Sequence, residues 1–451
     1  VDGKSNVWHL TGKDRGEVDA PDAVAFEGVE NLAGGGAEDI FALEQGAGVS
    51  GTIDGGAGDD TLDYSGFATD VTVDLQNRTA TGIGGFAGIQ AVVGGAGSDV
   101  LVGPDADIDW HIDAMNAGRV AGVGFFGIEN LLAGAGDDTF VFSDGSGVAG
   151  RIDGGGGVNS LDYSEYTAGV QVDLAEGSAT GTGGVANIAN VVGGAGDDIL
   201  AGNAGANVLA AMAGNDRLMG RGGADVLDGG AGDDALAETR DADFVLTDIG
   251  LTIGAEGTDS LFSIEQVKLT GGAGDNTIDA SGFSGKADLA GEEGEDTFVA
   301  GLGDITYTGG GGSDRLAAPD AVNTWSLTGI DTGLLNGSIF DGIEHLVGGA
   351  MADSFVLAVG AMATGSISGR EGRDTIQGAD ETNHWIIEDI KTGKLNGKPF
   401  SDIENLEGGP GQDTLYGPPV DTTWLITGAD AGSVAGYNFA GMENLTGAAD
   451  N

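Results

Sequence analysis

The sequence predicts an all-β chain: a parallel β-roll or β-solenoid, a right-handed β-helix with coils of about 20 residues and stacked Gly-Asp turns. Three observations carry that prediction. Glycine makes up 90 of the 451 residues, and with 7 Pro and no three-residue period this is not collagen. A nine-residue pattern recurs along the chain, and a fixed period means a repeat architecture. Apolar residues alternate over short stretches between glycines, as in Trp110/Ile112, Trp325/Leu327, Trp385/Ile387 and Trp424/Ile426, which places each pair on one strand face and leaves no room for long helices.

Composition narrows the partners. With 17 Lys and Arg against 72 Asp and Glu, the net charge is −55, so nucleic acid and anionic membranes are repelled. There is no Cys, which removes disulfides and thiolate metal sites and leaves hard cations held by oxygen as the expected staple. An apolar content of 40% argues against plain disorder. No apolar run reaches the roughly 18 residues of a spanning helix, so membrane insertion is not expected. Residues 1–10 lack the apolar core of a signal peptide, and any export signal is expected outside this segment.

Taken in order, residues 1–192 read as a decorated β-solenoid. Nonapeptides start at 34, 55, 94, 133 and 154, and the intervals of 21 and 39 are read as one and two coils. Residues 34–99 recur at 133–198 with a 99-residue offset, Asp63-Tyr64-Ser65 against Asp162-Tyr163-Ser164 and Val73-Asp74-Leu75 against Val172-Asp173-Leu174. Residues 193–237 form a tandem block: GGAGDDILA, GNAGANVLA, AMAGNDRLM, GRGGADVLD and GGAGDDALA. Residues 238–308 are a degenerate repeat region with copies at 271 and 291, and an unrelated site would belong there. Residues 309–451 are decorated again, with copies at 309, 348, 369 and 408 and a further one begun at Gly447.

The decoration has its own pattern. Trp110, Trp325, Trp385 and Trp424 each stand 16 residues after a copy starts, and Trp8 opens a truncated module. Each module ends in Phe-x-x-Ile-Glu-Asn-Leu or a variant, at Phe26, Phe125, Phe340, Phe400 and Phe439. The alternation predicts an inward Trp ladder rather than a sugar-stacking platform, and solvated or turn-bonding side chains for Glu30, Glu129, Glu344, Glu404 and Glu443. Arg370, Arg373, Lys391, Lys394 and Lys398 form a cationic cluster, expected to be a solvated face, with an acidic neighbour as the alternative.

The sixth position carries the chemistry. It is Asp at Asp39, Asp60, Asp99, Asp138, Asp198, Asp216, Asp225, Asp234, Asp296, Asp314, Asp353, Asp374 and Asp413, and Asn at Asn159, Asn207 and Asn276. Glycines such as Gly193 and Gly196 permit positive φ and expose carbonyl oxygens, while the Asp adds a carboxylate, a donor set suited to the six to eight oxygens of calcium at about 2.3 to 2.6 Å. In the tandem block, loops on one edge lie 18 residues apart. Asp198 is therefore paired with Asp216, Asp216 with Asp234, and Asn207 with Asp225, the last being weaker for lack of a charge.

These nonapeptides resemble the GGxGxDxUx repeats of the RTX, or hemolysin-type calcium-binding, family. Ala37 and Met351 depart from the motif at its fourth position and are expected to weaken their loops. The resemblance implies calcium as cofactor, with all thirteen Asp, Asn207, Gly193 and Gly196 as site residues, and a secreted bacterial protein exported unfolded by a type I system. Decorated repeats of this kind look like adhesins, surface-layer proteins or filaments. The expected function is a calcium-stabilised extracellular structural protein at the cell surface, not an enzyme, that stacks head to tail on copies of itself or joins a lattice. Neither HExxH nor GxSxG occurs, and GxGxxG at 46–51, 122–127 and 145–150 reflects repeat glycines. The alternatives are an adhesin segment holding a surface polysaccharide and a β-helical polysaccharide lyase or epimerase module.

Overall fold

The computed structural model describes residues 3–19 and 23–447, and every regular element among them is a β-strand. The nonapeptide begun at Gly447 therefore runs outside the described residues. The chain divides into two compact units, Val1–Asp234 and Ala235–Asn451.

The tandem block shows the basic construction. Each nonapeptide spends three residues on a strand, Ile199–Ala201, Val208–Ala210, Arg217–Met219 and Val226–Asp228, and the rest on a turn that crosses to the opposite face. Strands on one face pair in parallel at an 18-residue offset, Leu200 beside Leu218 and Leu209 beside Leu227. The eighth-position leucines point between the faces and are fully buried. Alternation with a period of two turns the flanking residues the other way, and of those in these strands only Ala201 is buried.

The decorations are three-stranded meanders laid into the faces. Asp109–Ala114, Ala117–Val120 and Val123–Phe126 run antiparallel to one another. The first strand pairs forward, in parallel, with Thr139–Phe142, and the third pairs backward with Ala91–Val93. A second kind, Thr72–Asp74, Thr79–Ala80 and Ile83–Ala87, enters the opposite face in the same way. An interval of 39 is thus not two plain coils. Two turns of the meander stay within one face, and the strand opposite pairs across an offset of 30, Leu101 beside Leu131.

The Trp side chains form core, as the alternation requires. Trp110, Trp325 and Trp385 are fully buried and Trp8 is 9% exposed, while Trp424 is half-buried. Three of them stack on a Phe of the next coil, Trp8 on Phe41, Trp110 on Phe140 and Trp325 on Phe355, with centroids 5.8, 5.6 and 5.5 Å apart. Such pairs add about 0.5 to 1.5 kcal/mol beyond the area they bury. Gly103 makes room for one of them, because a Cβ there would overlap the Trp110 ring.

The second unit follows the same plan, with meanders that begin at Phe244–Thr247, Thr324–Leu327, His384–Asp389 and Trp424–Gly428. Residues 238–308 continue this strand stacking, Lys286–Glu293 lying parallel to Asp304–Gly311.

Candidate metal centres

The sixth-position side chains make ladders along the turns. The Asp198 N–H donates to Asp216 Oδ1 at 2.6 Å, the Asp216 N–H to Asp234 Oδ1 at 2.8 Å, and the Asn207 N–H to Asp225 Oδ1 at 2.8 Å. These are the pairings expected from the 18-residue spacing. The isolated copies stack as well: Asp39 on Asp60, Asp138 on Asn159, Asn276 on Asp296 and Asp314, and Asp353 on Asp374, each lower N–H bonded to the oxygen above it.

Two participants were not read from the sequence as part of the site. Ahead of Trp8, Trp325 and Trp385 the turn carries an Asn two residues before the Trp, at Asn6, Asn323 and Asn383, and their N–H groups donate to Asp39, Asp353 and Asp413 at 2.8 to 2.9 Å. For Asn323 and Asn383 the signal was a nine-residue step from the preceding copy, obscured by Ala, Pro or Glu at glycine positions. At the other end, Glu129, Glu344, Glu404 and Glu443 accept the N–H of Asp99, Asp314, Asp374 and Asp413 through Oε2, and Gln90 does the same for Asp60. These glutamates were expected to be solvated or turn-bonding. They close the ladders because the meander returns the chain to the turn edge 30 residues after the last Asp; Glu30 is exposed.

Close stacking explains the glycines. At the first position of the Asp39 loop, a Cβ on Gly34 would lie 2.4 Å from the Gly55 carbonyl oxygen and 2.5 Å from Asp39 Oδ2. A Cβ on Gly193 would overlap Asp198 Oδ2, and one on Gly196 would meet the Gly169 amide. At the fourth position each loop sits on the fourth carbonyl of the loop beneath, Gly214 on Gly196, Gly232 on Gly214 and Gly372 on Met351. Ala37 and Met351 themselves are not in the left-handed region, and both their loops keep their places in the ladders.

The loops occur in two states. In one, the second residue's N–H caps the carboxylate: Gly95 to Asp99 Oδ2 at 2.5 Å, Gly194 to Asp198 Oδ2 at 2.8 Å, Gly349 to Asp353 Oδ2 at 2.6 Å. Asn207 is likewise satisfied, by Asn203 N–H and the Ala189 carbonyl. In the other state the second residue is left-handed. Gly56, at φ 94°, turns its N–H to Asp54, and Asp60 Oδ2 has no hydrogen-bond partner. Asp39, Asp216, Asp296, Asp314, Asp374 and Asp413 are bare in the same way, and so is Asp138, although its Gly134 does not take a positive φ. Met212, Arg221, Glu292 and Arg370 hold this second position at φ 67° to 79° without being glycine. Such strain of about 1 to 3 kcal/mol each persists only where the surroundings impose it.

A buried carboxylate oxygen without a donor is costly. Burial, and then neighbouring carboxylates, push Asp138, Asp216, Asp314 and Asp374 up to about 6. Among the described residues no three acidic or imidazole side chains converge on one point. A cation here would be held by one or two carboxylates and by backbone carbonyls, which suits calcium, a hard ion with oxygen ligands and flexible geometry. Asp99 stands apart: it lies between Val71 and Glu129 rather than between nonapeptides, and its oxygens are occupied.

Elsewhere, Arg221 forms a two-pronged bond to Asp173 at 2.6 and 2.8 Å. In the cationic cluster Lys391 pairs with Glu404, Lys394 with Glu388, and Lys398 donates to the Thr364 carbonyl, while Arg370 and Arg373 are exposed.

Comparison with known families finds two similarities. Residues 189–218, 202–236, 268–282, 281–316 and 400–417 match the RTX calcium-binding nonapeptide repeat. Residues 44–151, which span one meander of each kind, match the Peptidase M10 serralysin C terminal family. No curated protein matches the chain.

Proposed function

Because this chain is an RTX-repeat protein whose nonapeptides bind calcium, we propose that it is a load-bearing element outside the cell: a surface-layer component, matrix filament or adhesin stalk that folds when calcium is supplied. Both matched families indicate a protein exported by a type I system. The observation that carries the reading is the set of bare, buried Asp oxygens repeated in both units, which an unfolded chain in low-calcium cytosol would not have to bury.

The residues assigned to calcium are Asp39, Asp60, Asp138, Asp216, Asp296, Asp314, Asp374 and Asp413, with Asp225 and Asp234 in the same stacked loops. Bound there, calcium supplies positive charge between rungs that otherwise repel one another. The protein's own part is to hold each Oδ2 fixed through the Oδ1 bond to the neighbouring rung and, in every one of these loops but that of Asp138, to turn the donor away by the left-handed second residue. A ligand set with so few charges fits the weak, extracellular end of calcium affinities, about 10⁻⁴ to 10⁻³ M.

No catalysis is assigned. The polysaccharide reading needed exposed Trp, and four of the five are buried. Association of copies into a lattice or filament belongs to the proposal; electron microscopy with calcium tests it, and single short particles at all concentrations would reject it. Circular dichroism during calcium titration of chelated protein tests the proposal as a whole. Strand signal should grow with calcium over the submillimolar to millimolar range, and a full strand signal in chelator would overturn it.

A further inference from the structure

Four meanders turn between their second and third strands through two left-handed residues, Ala121-Gly122, Asn336-Gly337, Asn396-Gly397 and Ala435-Gly436, at φ 50° to 101°. Such turns favour Asn-Gly, yet alanine holds the first place in two of them, so the turn alone does not demand asparagine. The asparagine side chain has partners across the hairpin. Asn336 Oδ1 accepts the Thr324 N–H at 2.8 Å, and its Nδ2 donates to Asn323 Oδ1 at 2.9 Å. Asn396 bonds in the same way with His384 and Asn383, at 2.8 and 3.1 Å. In the two alanine modules the residue two before the Trp is Ile108 or Thr422, so asparagine in the turn goes with asparagine before the Trp.

Asn323 and Asn383 are buried, and each passes the bond on, donating through Nδ2 to Asp353 Oδ1 at 2.7 Å and to Asp413 Oδ1 at 2.9 Å. The turn amides are thus tied to the Asp ladders. Asn-Gly is also the dipeptide most open to one reaction, because glycine puts no Cβ beside its nitrogen, and these are the only two Asn-Gly pairs in the chain. In an unfolded chain the Gly337 nitrogen attacks Asn336 Cγ; the new C–N bond closes a five-membered imide, the Cγ–Nδ2 bond breaks, and the amide leaves as ammonia with the glycine's proton. Water then opens the ring at either carbonyl, giving aspartate or isoaspartate. In the fold both glycines stand exposed at the hairpin tips, but Nδ2 and Oδ1 of the asparagine are held by the neighbouring strand and the backbone is fixed in the left-handed turn.

We propose that Asn336 and Asn396 are deamidation sites, shut in the folded protein and open in the unfolded chain, and that conversion there penalises a chain kept too long without calcium. Aspartate at either place gives Asn323 or Asn383 Oδ1 no donor and leaves that buried oxygen beside a carboxylate, while isoaspartate adds a backbone carbon to a two-residue turn. The penalty rests on the reading of the chain as one that folds when calcium is supplied.

The full chain is aged at mildly alkaline pH in calcium, in chelator and in chelator with urea, and peptide mass mapping locates aspartate and isoaspartate. Conversion at both positions should run about tenfold or more faster in chelator than in calcium, because the reaction needs an opened turn. Equal rates, where circular dichroism shows the strand signal lost in chelator, would overturn the sites. If the strand signal survives in chelator, the calcium reading falls by itself, and the urea arm supplies the unfolded chain for the same comparison. For the penalty, Asn336→Asp combined with Asn396→Asp should raise the calcium midpoint for regaining strand signal by about threefold or more. An unmoved midpoint would overturn it, and each single variant is titrated too, so that a double variant unable to fold still leaves a midpoint to read.

Discussion

The tandem block and the decorated coils solve one problem with different means. Between Gly193 and Asp234 each rung offers a buried Leu and a sixth-position Asp or, once, Asn207, and no aromatic pair reinforces it. Between Thr139 and Asp162 the coils interlock through Trp110 on Phe140 and Phe142 on Tyr163, and the ladder is only two rungs long. A thin solenoid has little interior per residue to offset chain entropy, so the tandem block should depend on bound cations more than the decorated coils do. The RTX grammar supplies turns everywhere; the meanders supply hydrophobic mass where the repeats are sparse.

The largest effect expected of this difference is seen on removing calcium. Each site at hundredfold excess over its dissociation constant contributes about 2.7 kcal/mol, and the tandem block stacks several in succession. In chelator, hydrogen exchange should deprotect Val208–Ala210 and Arg217–Met219 well before Thr139–Phe142. Equal rates for the two would break the comparison. Next in size, Trp110→Ala should cost about 3 to 5 kcal/mol whether or not calcium is present, because it empties a fully buried aromatic site. Urea denaturation at saturating and zero calcium checks this, and a loss confined to the calcium-free state would contradict it.

A smaller effect separates glycines that bear a stack from those that do not. Gly232, at φ 154°, would drive a Cβ into the Gly214 carbonyl, whereas a Cβ on Gly36 would meet nothing within 4 Å. Gly232→Ala should destabilise by more than about 1 kcal/mol and Gly36→Ala by less than about 0.5 kcal/mol. Their thermal midpoints in calcium would show it.

The smallest effect is on pH. Asp138, Asp216, Asp314 and Asp374 are pushed up to about 6, so without calcium the fold holds their protons more tightly than the unfolded chain. That stability is complete below about 4 and is lost as pH rises through about 6. In chelator the urea midpoint should therefore be higher at pH 5 than at pH 7.5, and calcium should reverse the order, because protons and the metal compete for the same oxygens. A midpoint that rises from pH 5 to 7.5 in chelator would show that these carboxylates are not desolvated.

Much of the site was legible because its period is strict. Where nonapeptides follow one another, spacing alone placed Asp198, Asp216 and Asp234 on one edge and Asn207 with Asp225 on the other. Which loops keep a bare oxygen was not legible, since, Asp138 apart, that goes with the second residue's φ, and residues as different as Met212, Glu292 and Gly310 adopt the same left-handed conformation. Asn6, Asn323 and Asn383 escaped notice because their turns replace glycine by Pro, Ala, Lys or Glu, and only the amide at the sixth position survives. The closing role of Glu344 and Glu404 is a product of topology: a meander must run backward along its face before the glutamate can reach the turn edge, and no local pattern announces that reversal. The interval of 39 misled for the same reason.

The meanders have a further consequence for how such a chain can grow. In the first unit, the coil that carries one adds three rungs to its own face and a single rung to the face opposite, a surplus of two rungs, or about 10 Å at the usual strand spacing. The next module sits on the other face and restores the balance. A lone module inserted or lost would leave the two walls unequal in height and shear every turn beyond it. The smallest segment that can be copied without that penalty holds one module of each kind, and the duplicated length of 99 residues is such a segment.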